Sequence, residues 1–324
     1  MGEPTINRYY WLDVTKFMGI FLIVLCHLPL TSFTQKFLWT FHVPLFFFIS
    51  GYLFKATTRK DFIAKLRFRL VLPYIYIYLL SVLLKTLITA DFDGGHFLKR
   101  VLGLFWGTHS YPDFINSALW FLPGLMVVQI LYFFLVQKHP LSYFALLAVS
   151  VYLYLNAYLN LLFSIDLALL GLNFFMVGCL VKKYALIEWL KTQPMAVAVL
   201  FAASLLITLD FAWLKNVWYG GTHYSLSFLG GVIGICMMVS LALLLERYSR
   251  PVALISYISS STLCIFCFHL FSNPVAKAIV DTLGIQTLIV SALLATVLSI
   301  ALLLPVNWLI VKYVPELVGI KRGA

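Results

Sequence analysis

The stretch WLDVTKFMGIFLIVLCHLPL, residues Trp11 to Leu30, and the stretch LWTFHVPLFFFISGYLF, residues Leu38 to Phe54, decide how this chain folds. Both are long apolar runs, and about 20 apolar residues in a row are typical of a helix that crosses a membrane. Both also carry polar side chains, although a charged group at the centre of a membrane helix costs roughly 2.5–3.5 kcal/mol. Polar residues kept at that cost usually pair with one another and mark function.

Three polar residues of the first run share one helical face. Lys16 and His27 are eleven residues apart, which is close to three turns and about 16 Å along an α-helix. Asp13 precedes Lys16 by three residues and lies on the same face. The spacing predicts a polar stripe that runs from Asp13 and Lys16 near one membrane surface to an imidazole near the other. A polar seam that only packs helices together is the alternative.

The composition of the whole chain indicates a multi-pass membrane protein. Of the 324 residues, 62% are hydrophobic and 11% are charged, whereas soluble domains carry about 25% charged residues. We predict an all-α integral membrane protein, a single bundle of about ten transmembrane helices over residues 1–324 with no separate soluble domain. The ten predicted spans are residues 11–30, 38–54, 70–90, 117–136, 141–157, 165–181, 194–212, 224–245, 256–271 and 286–312.

Lysine and arginine residues are distributed unevenly between the links that join these spans. Sixteen lie in links on the side of the N-terminus and six lie in links on the other side. Because cytoplasmic loops carry the excess of positive charge, both termini are predicted to be cytoplasmic. The same bias explains the net charge of +11 by contact with membrane lipids, so no nucleic acid partner is expected.

This orientation sorts the remaining polar residues by membrane side. His27, His42 and His269 lie toward the outer leaflet, and Asn116 and Trp120 open the fourth span at its outer end. The long outer link 91–116 mixes aromatic and polar residues. That mixture suits an aromatic belt at the membrane interface first, and a bound sugar second.

A basic link joins the second and third predicted spans on the cytoplasmic side. It reads TTRKDFIAKLRFR and ends with three alternating cations, Lys65, Arg67 and Arg69. Anchoring to anionic lipid explains such a cluster, and so does clamping of a phosphorylated donor, since guanidinium groups pair well with phosphate.

The first two spans resemble the acyltransferase-3 family of integral membrane O-acyltransferases, in particular its fucose 4-O-acetylase-like branch. Lys16 and His27 occupy the family's pattern of a basic residue, ten intervening residues and a histidine. FHVPLFFFISGYLF is similar to the second helix of the branch, with His42 in register. Shorter similarities are NSALWFLPGL at Asn116–Leu125 and SSSTLCIFCFHL at Ser259–Leu270.

The resemblance implies an enzyme that moves an acyl group, usually acetyl, from cytoplasmic acyl-CoA to a hydroxyl at the outer face of the cell membrane. It implies acetyl-CoA as the donor and a cell-surface glycan or lipid-linked sugar as the acceptor. Acyl transfer needs a base, and histidine is the usual base near neutral pH. We therefore predict that His27 is the base or a transient acyl carrier. His42 is predicted to orient the acceptor or to stabilise the oxyanion, and packing is its alternative role.

The same scheme assigns the other polar residues to donor and acceptor. Lys16 is predicted to attract the acyl donor, and Asp13 is predicted to hold the positive charge of Lys16. The three cations of the basic link are predicted to bind the nucleotide end of the donor, although the family often has R-x-x-R where this chain has alternating cations. No metal site is expected, since the histidines lack second ligands at metal-binding spacing. The residues predicted to line the acceptor side are Asn116, Trp120 and His269.

Two other classes of protein fit the same sequence. A transporter or flippase for a lipid-linked sugar would use the polar stripe as a permeation path. It would move its cargo without consuming acyl-CoA. A non-catalytic partner in glycan assembly would tolerate substitution of every histidine.

Overall fold

A computed structural model describes residues 9–108, 110–156, 160–211 and 224–321 of the chain. Within these ranges the structure is helical and contains no β-strand, as the predicted all-α class requires. Arg8, Lys215 and Arg322, which contribute to the predicted charge bias, lie outside the described residues. The α-helices are, in chain order, α1 (Tyr10–Cys26), α2 (Ser32–Trp39), α3 (His42–Leu53), α4 (Arg59–Leu66), α5 (Leu72–Thr89), α6 (Gly94–Trp106), α7 (Phe121–Leu131), α8 (Ser142–Leu155), α9 (Ile165–Lys183), α10 (Leu186–Lys191), α11 (Pro194–Phe211), α12 (Tyr224–Tyr248), α13 (Ala253–Ser260), α14 (Thr262–Thr282) and α15 (Leu288–Tyr313).

Six helical stretches of the described residues are long and apolar enough to cross a membrane, and α8 and α11 are shorter apolar helices. These findings make the chain a multi-pass membrane protein. Each of the ten predicted spans overlaps helical residues, but the predicted span 256–271 is divided between α13 and α14, and not every helix has the predicted length. The six long stretches are Arg59–Thr89, Ser117–Val136, Leu162–Lys183, Phe228–Tyr248, Thr262–Thr282 and Leu288–Tyr313.

The first two predicted spans form shorter helices than the sequence suggested. Helix α1 has 17 residues and α3 has 12. Helix α1 ends at Cys26 because Pro29 follows, and a proline disfavours helical geometry in the residue before it. Pro44 is tolerated in α3 because it lies in the first turn, where its missing N–H has no helical partner to lose. His27 therefore lies at the end of a helix rather than inside one.

The predicted outer link 91–116 contains a helix, α6, that the sequence analysis did not anticipate. Asp93 caps its start by accepting a hydrogen bond from the backbone N–H of His96 at 2.8 Å. Gly107 ends it with a φ of 62°, a conformation that glycine adopts without steric cost. The hydroxyl of Tyr78 on α5 donates to the Arg100 carbonyl at 2.8 Å and holds α6 in place. The long outer link therefore contains a helix of 13 residues.

The basic link is also helical over most of its length. Thr58 caps α4 by accepting from the N–H of Asp61 at 3.2 Å. A π-helical turn, Arg67–Val71, then joins α4 to α5, so a single helical stretch runs from Arg59 to Thr89. Lys65 lies in α4, whereas Arg67 and Arg69 lie in the π-helical turn. The backbone of all three residues is therefore helical and held by helical hydrogen bonds, and it does not form a loop.

The chain divides into two compact units. The first comprises Met1–Leu53, Met176–Val217 and Ser225–Leu304, and the second comprises Phe54–Phe175, Trp218–Tyr224 and Pro305–Ala324. In the first unit, α1 packs against α3, α13 and α14. In the second unit, α5 packs against α6 and against a short 3-10 turn, Pro315–Val318. A single domain and cytoplasmic termini remain predictions from the sequence.

Candidate active site

His27 follows the last residue of α1 and belongs to the first unit. Its ring Nδ1 lies 2.9 Å from the carbonyl oxygen of Ile23, one helical turn earlier. The side chain is exposed at the surface of the protein. A carbonyl oxygen only accepts hydrogen bonds, so Nδ1 must carry the proton of the neutral ring. The lone pair is then on Nε2, and this nitrogen is available to accept a proton from a substrate.

The His269 ring on α14 packs against the ring of His27. The two ring centroids are 4.7 Å apart and the rings meet edge to face at 68°. His269 Nε2 lies 3.3 Å from His27 Nδ1, and His269 Nδ1 lies 2.7 Å from the carbonyl oxygen of Phe266. The sequence placed both histidines toward one side of the membrane, and the structure brings their rings into contact. That contact was not foreseen, because the two residues are 242 positions apart in the chain.

His42 is the first residue of α3, and its side chain is buried. Its Nδ1 lies 2.7 Å from the carbonyl oxygen of Leu38, so this ring too is protonated on Nδ1 and basic on Nε2. His42 belongs to the same compact unit as His27 and His269. The first unit thus contains three of the predicted site residues, and two of them, His27 and His269, are in direct contact.

Asp13 and Lys16 lie about four and three turns before His27 on the same helix. Asp13 is buried, with 4% of its surface exposed. Its carboxylate accepts hydrogen bonds from the hydroxyls of Ser256 at 2.8 Å and Ser259 at 2.7 Å, both on α13. These serines satisfy a buried charge that would otherwise be costly. They were not identified from the sequence, and the predicted pairing of Asp13 with half-buried Lys16 remains a prediction.

The three cations of the former basic link lie in the second unit, and all are exposed. Gly319, which follows the Pro315–Val318 turn, packs on the backbone of Arg69: a Cβ at Gly319 would lie 3.1 Å from the Arg69 Cα. Lys321 Nζ lies 4.9 Å from the centre of the Phe68 ring. The end of the described chain therefore adds a fourth cation beside Arg67 and Arg69. This contact could not be predicted from the sequence, because nothing in the pattern of residues links positions 68 and 321.

Asn116 and Trp120 also belong to the second unit. Asn116 is buried, and its side-chain N–H donates to the Ser81 hydroxyl at 3.3 Å. Trp120 is half-buried and ends a 3-10 turn, Ser117–Trp120, that leads into α7. Its ring meets the Phe121 ring edge to face at a centroid distance of 6.2 Å. The two residues open the fourth predicted span, as expected, but through a 3-10 turn rather than an α-helical one.

A cavity of about 390 Å³ lies beside the end of α1 in the first unit. Pro29, two residues after His27, forms part of its wall. Lys277 and Asp281 form an ion pair on another wall, so the lining carries no net charge from this pair. Its remaining polar lining comes from Gln286 and Ser291. The volume falls within the roughly 300–1,000 Å³ of small-molecule sites. Apart from Pro29, its lining residues lie between Lys277 and Ser291, and the cavity was not predicted from the sequence.

The comparisons with known proteins give one positive result. Residues 9–312 match the acyltransferase domain of the acyltransferase 3 family. No curated protein and no solved structure matches the chain. The matched range covers most of the 324 residues and includes every histidine, carboxylate and cation described in this site except Lys321. The chain therefore belongs to the acyltransferase 3 family of membrane-bound acyltransferases.

Proposed function

We propose that this protein is an O-acyltransferase that moves an acyl group, in the simplest case acetyl, from cytoplasmic acyl-CoA to a hydroxyl of a cell-surface glycan or lipid-linked sugar. The single observation that carries the proposal is the environment of the His27 ring. Its Nδ1 is held by the Ile23 carbonyl, which leaves Nε2 basic, and its side chain is exposed. A residue of this kind is suited to take a proton from an alcohol.

The reaction proceeds by attack of the acceptor oxygen on the thioester carbonyl. His27 Nε2 takes the proton of the acceptor hydroxyl as the new C–O bond forms. The C–S bond then breaks, and the CoA thiolate leaves with its electron pair. His27 returns the proton to that sulfur, so that the products are an O-acyl ester and free CoA. A transient acyl group on His27 is the alternative route.

The geometry of His42 narrows its proposed role. With Nδ1–H directed at the Leu38 carbonyl, the neutral ring presents a lone pair rather than a proton at Nε2. It can therefore accept a hydrogen bond from an acceptor hydroxyl, but it cannot donate one to an oxyanion. Orientation of the acceptor is the role we propose.

Donor binding is proposed for the cations. Lys65, Arg67, Arg69 and Lys321 provide exposed positive charge of the type that binds the phosphates of CoA, and Lys16 supplies a further cation on α1. The excess of Lys and Arg in these links supports a cytoplasmic position for them. The two other residues proposed to contact the acceptor are Asn116 and Trp120. The neutral polar cavity beside Pro29 adds a suitable place for a sugar in the first unit.

Labelled acetyl-CoA tests the proposal directly. Membranes that contain the protein should transfer label to a glycan fraction, and membranes with His27→Ala at equal abundance should not. Removing a general base costs roughly 10²–10⁴-fold in rate. Full transfer by His27→Ala would reject the assignment. The rival transporter or flippase predicts sugar translocation with no consumption of acetyl-CoA, and the same assay measures that consumption.

A further inference from the structure

In the hydrogen bond between His27 and His269, the donor and the acceptor can be assigned. His269 Nδ1 lies 2.7 Å from the Phe266 carbonyl oxygen, which can only accept, so the single proton of the neutral ring is on Nδ1. The His269 side chain is fully buried, with 0% of its surface exposed. His269 Nε2 therefore offers a lone pair to His27.

His27 Nδ1 consequently faces two acceptors. The Ile23 carbonyl oxygen lies at 2.9 Å and His269 Nε2 at 3.3 Å. A proton on Nδ1 can be shared between both acceptors, whereas a lone pair on Nδ1 would face the lone pairs of the Ile23 oxygen and of His269 Nε2. The neutral pair thus has one consistent arrangement of protons, in which each ring is protonated on Nδ1 and His27 keeps its Nε2 free.

We propose that His269 is a positioning residue that fixes the ring orientation and the tautomer of His27 and supports the positive charge that His27 acquires during acyl transfer. This inference rests on the proposed role of His27 as the base. His269 touches neither donor nor acceptor in this scheme, so it replaces the acceptor-binding role that the sequence suggested. The lone pair of His269 Nε2 interacts more strongly with the imidazolium than with the neutral ring, so its contribution is greatest in the transition state.

The surrounding helices hold His269 in place. Asn273, one turn further along α14, donates from its side chain to the Val24 carbonyl of α1 at 3.1 Å. The Ser299 hydroxyl on α15 donates to the Asn273 side-chain oxygen at 2.7 Å. These buried hydrogen bonds fix α14 against the end of α1. A ring mounted on a fixed helix is what a positioning role requires, because small displacements of an orienting group reduce its effect.

Three substitutions separate the contact with His27 from simple burial. In His269→Gln the amide oxygen can take the position of Nε2 and accept from His27. In His269→Asn the shorter amide can reach only the position of Nδ1, so it keeps the Phe266 contact and loses the one to His27. His269→Leu loses both contacts but fills the space.

We expect the acyl-transfer kcat of His269→Gln to stay within about threefold of wild type. The kcat of His269→Asn and of His269→Leu should fall about 10- to 100-fold, the usual effect of removing a group that orients a functional residue. The KM values for donor and acceptor should change less than about twofold, because the group acts in the transition state. Equal activity of the Asn and Gln variants, or a Gln variant as impaired as Leu, would refute the positioning role.

A second measurement needs no variant of His269. Solid-state NMR of ¹⁵N-histidine-labelled wild-type protein in lipid bilayers distinguishes the two neutral tautomers, and the His27 signals are identified by their loss in His27→Gln. The expected result is a proton on Nδ1, and a proton on Nε2 overturns the inference even if every variant misfolds. Activity in His27→Ala would instead reject the proposed function, so the two failures are distinguishable.

Discussion

The side-chain N–H of Asn273 donates to the carbonyl oxygen of Val24 across 3.1 Å, and so closes the C-terminal end of α1 with a group from α14. The Val24 carbonyl also accepts from the backbone N–H of His27 at 3.2 Å, and the buried amide gives it a second donor from another helix. The bond lies three residues before His27. The position of the proposed base therefore depends on a contact between helices that are distant in the chain.

We expect Asn273→Leu to lower the free energy of unfolding by about 1–3 kcal/mol, because the Val24 carbonyl and the Ser299 hydroxyl both lose a buried partner. Acyl-transfer kcat should fall as well, since the end of α1 becomes less well fixed. Thermal unfolding in detergent and the labelled acetyl-CoA assay measure the two effects. Ser299→Ala is the matched control, because it keeps the bond to Val24 and should retain kcat. Unaltered stability in Asn273→Leu would contradict this account.

The cations of the second unit give a prediction about donor affinity. Replacing Arg67 and Arg69 together by glutamine should raise the KM for acyl-CoA by about tenfold, since each exposed charge contributes up to roughly 1 kcal/mol. The kcat should remain near the wild-type value. Steady-state kinetics at varied acyl-CoA concentration measure the change. Lys85→Gln, at an exposed position near the far end of α5, should leave KM unchanged. An equal effect of both changes would mean that only general surface charge matters.

Gly319 offers a test of whether the end of the chain shapes the cation cluster. Its φ is 74°, and a Cβ there would lie 3.1 Å from the Arg69 Cα and 3.3 Å from the Phe68 carbonyl oxygen. Gly319→Ala should cost about 1–2 kcal/mol in local strain and should raise the KM for acyl-CoA by moving the backbone beside Arg69. Gly284→Ala is the control, because Gly284 also has a positive φ but a Cβ there would meet nothing within 4 Å. Gly319→Ala should lose more stability than Gly284→Ala, because only its Cβ meets neighbouring backbone, and only Gly319→Ala should alter the KM for acyl-CoA.

Asp91 predicts a pH dependence for the attachment of α6. Desolvation acts to raise the pKa of this carboxyl, but hydrogen bonds from the Asp93 N–H, His96 and Arg100 outweigh it and lower the pKa. A carboxyl with a lowered folded-state pKa stabilises the fold above its unfolded pKa of about 3.9 and loses that contribution as the pH falls through the folded value. Amide hydrogen exchange, followed by mass spectrometry, should show α6 protected at neutral pH and less protected in acid. The Asp91→Asn variant should lack this acid-dependent loss.

Much of the fold was predictable from the sequence, because apolar runs and Lys/Arg bias are local signals. All ten predicted spans overlap helices, although the span 256–271 is divided between α13 and α14. Helix α6 was missed because its apolar residues alternate with His96, Lys99 and Arg100, and a search for continuous apolar runs passes over an amphipathic helix. The early end of α1 could have been predicted from Pro29, because a proline disfavours helical geometry in the residue before it.

The candidate site was only partly predictable, for a different reason. The pattern of Lys16 and His27 lies in one helix, and a single helix has a known periodicity. The partners of these residues come from other helices: His269 and Asn273 from α14, and Ser256 and Ser259 from α13. No spacing rule relates positions more than 200 residues apart, so these contacts depend on tertiary packing and could not be predicted from the sequence.

The π-helical turn Arg67–Val71 has a consequence for protein engineering. A π-helical turn contains one residue more than an α-helical turn, so it behaves as a one-residue insertion in a continuous helix. Deleting the uncharged Phe68 there would let the ordinary repeat resume with little rotation of α4 relative to α5, because the wider turn already accommodates the additional residue. The number of cations would be preserved and Lys65 would keep its direction, whereas Arg67 and Arg69 would become neighbours in the sequence. Such a deletion would test the spacing of the two arginines without altering the charge of the segment.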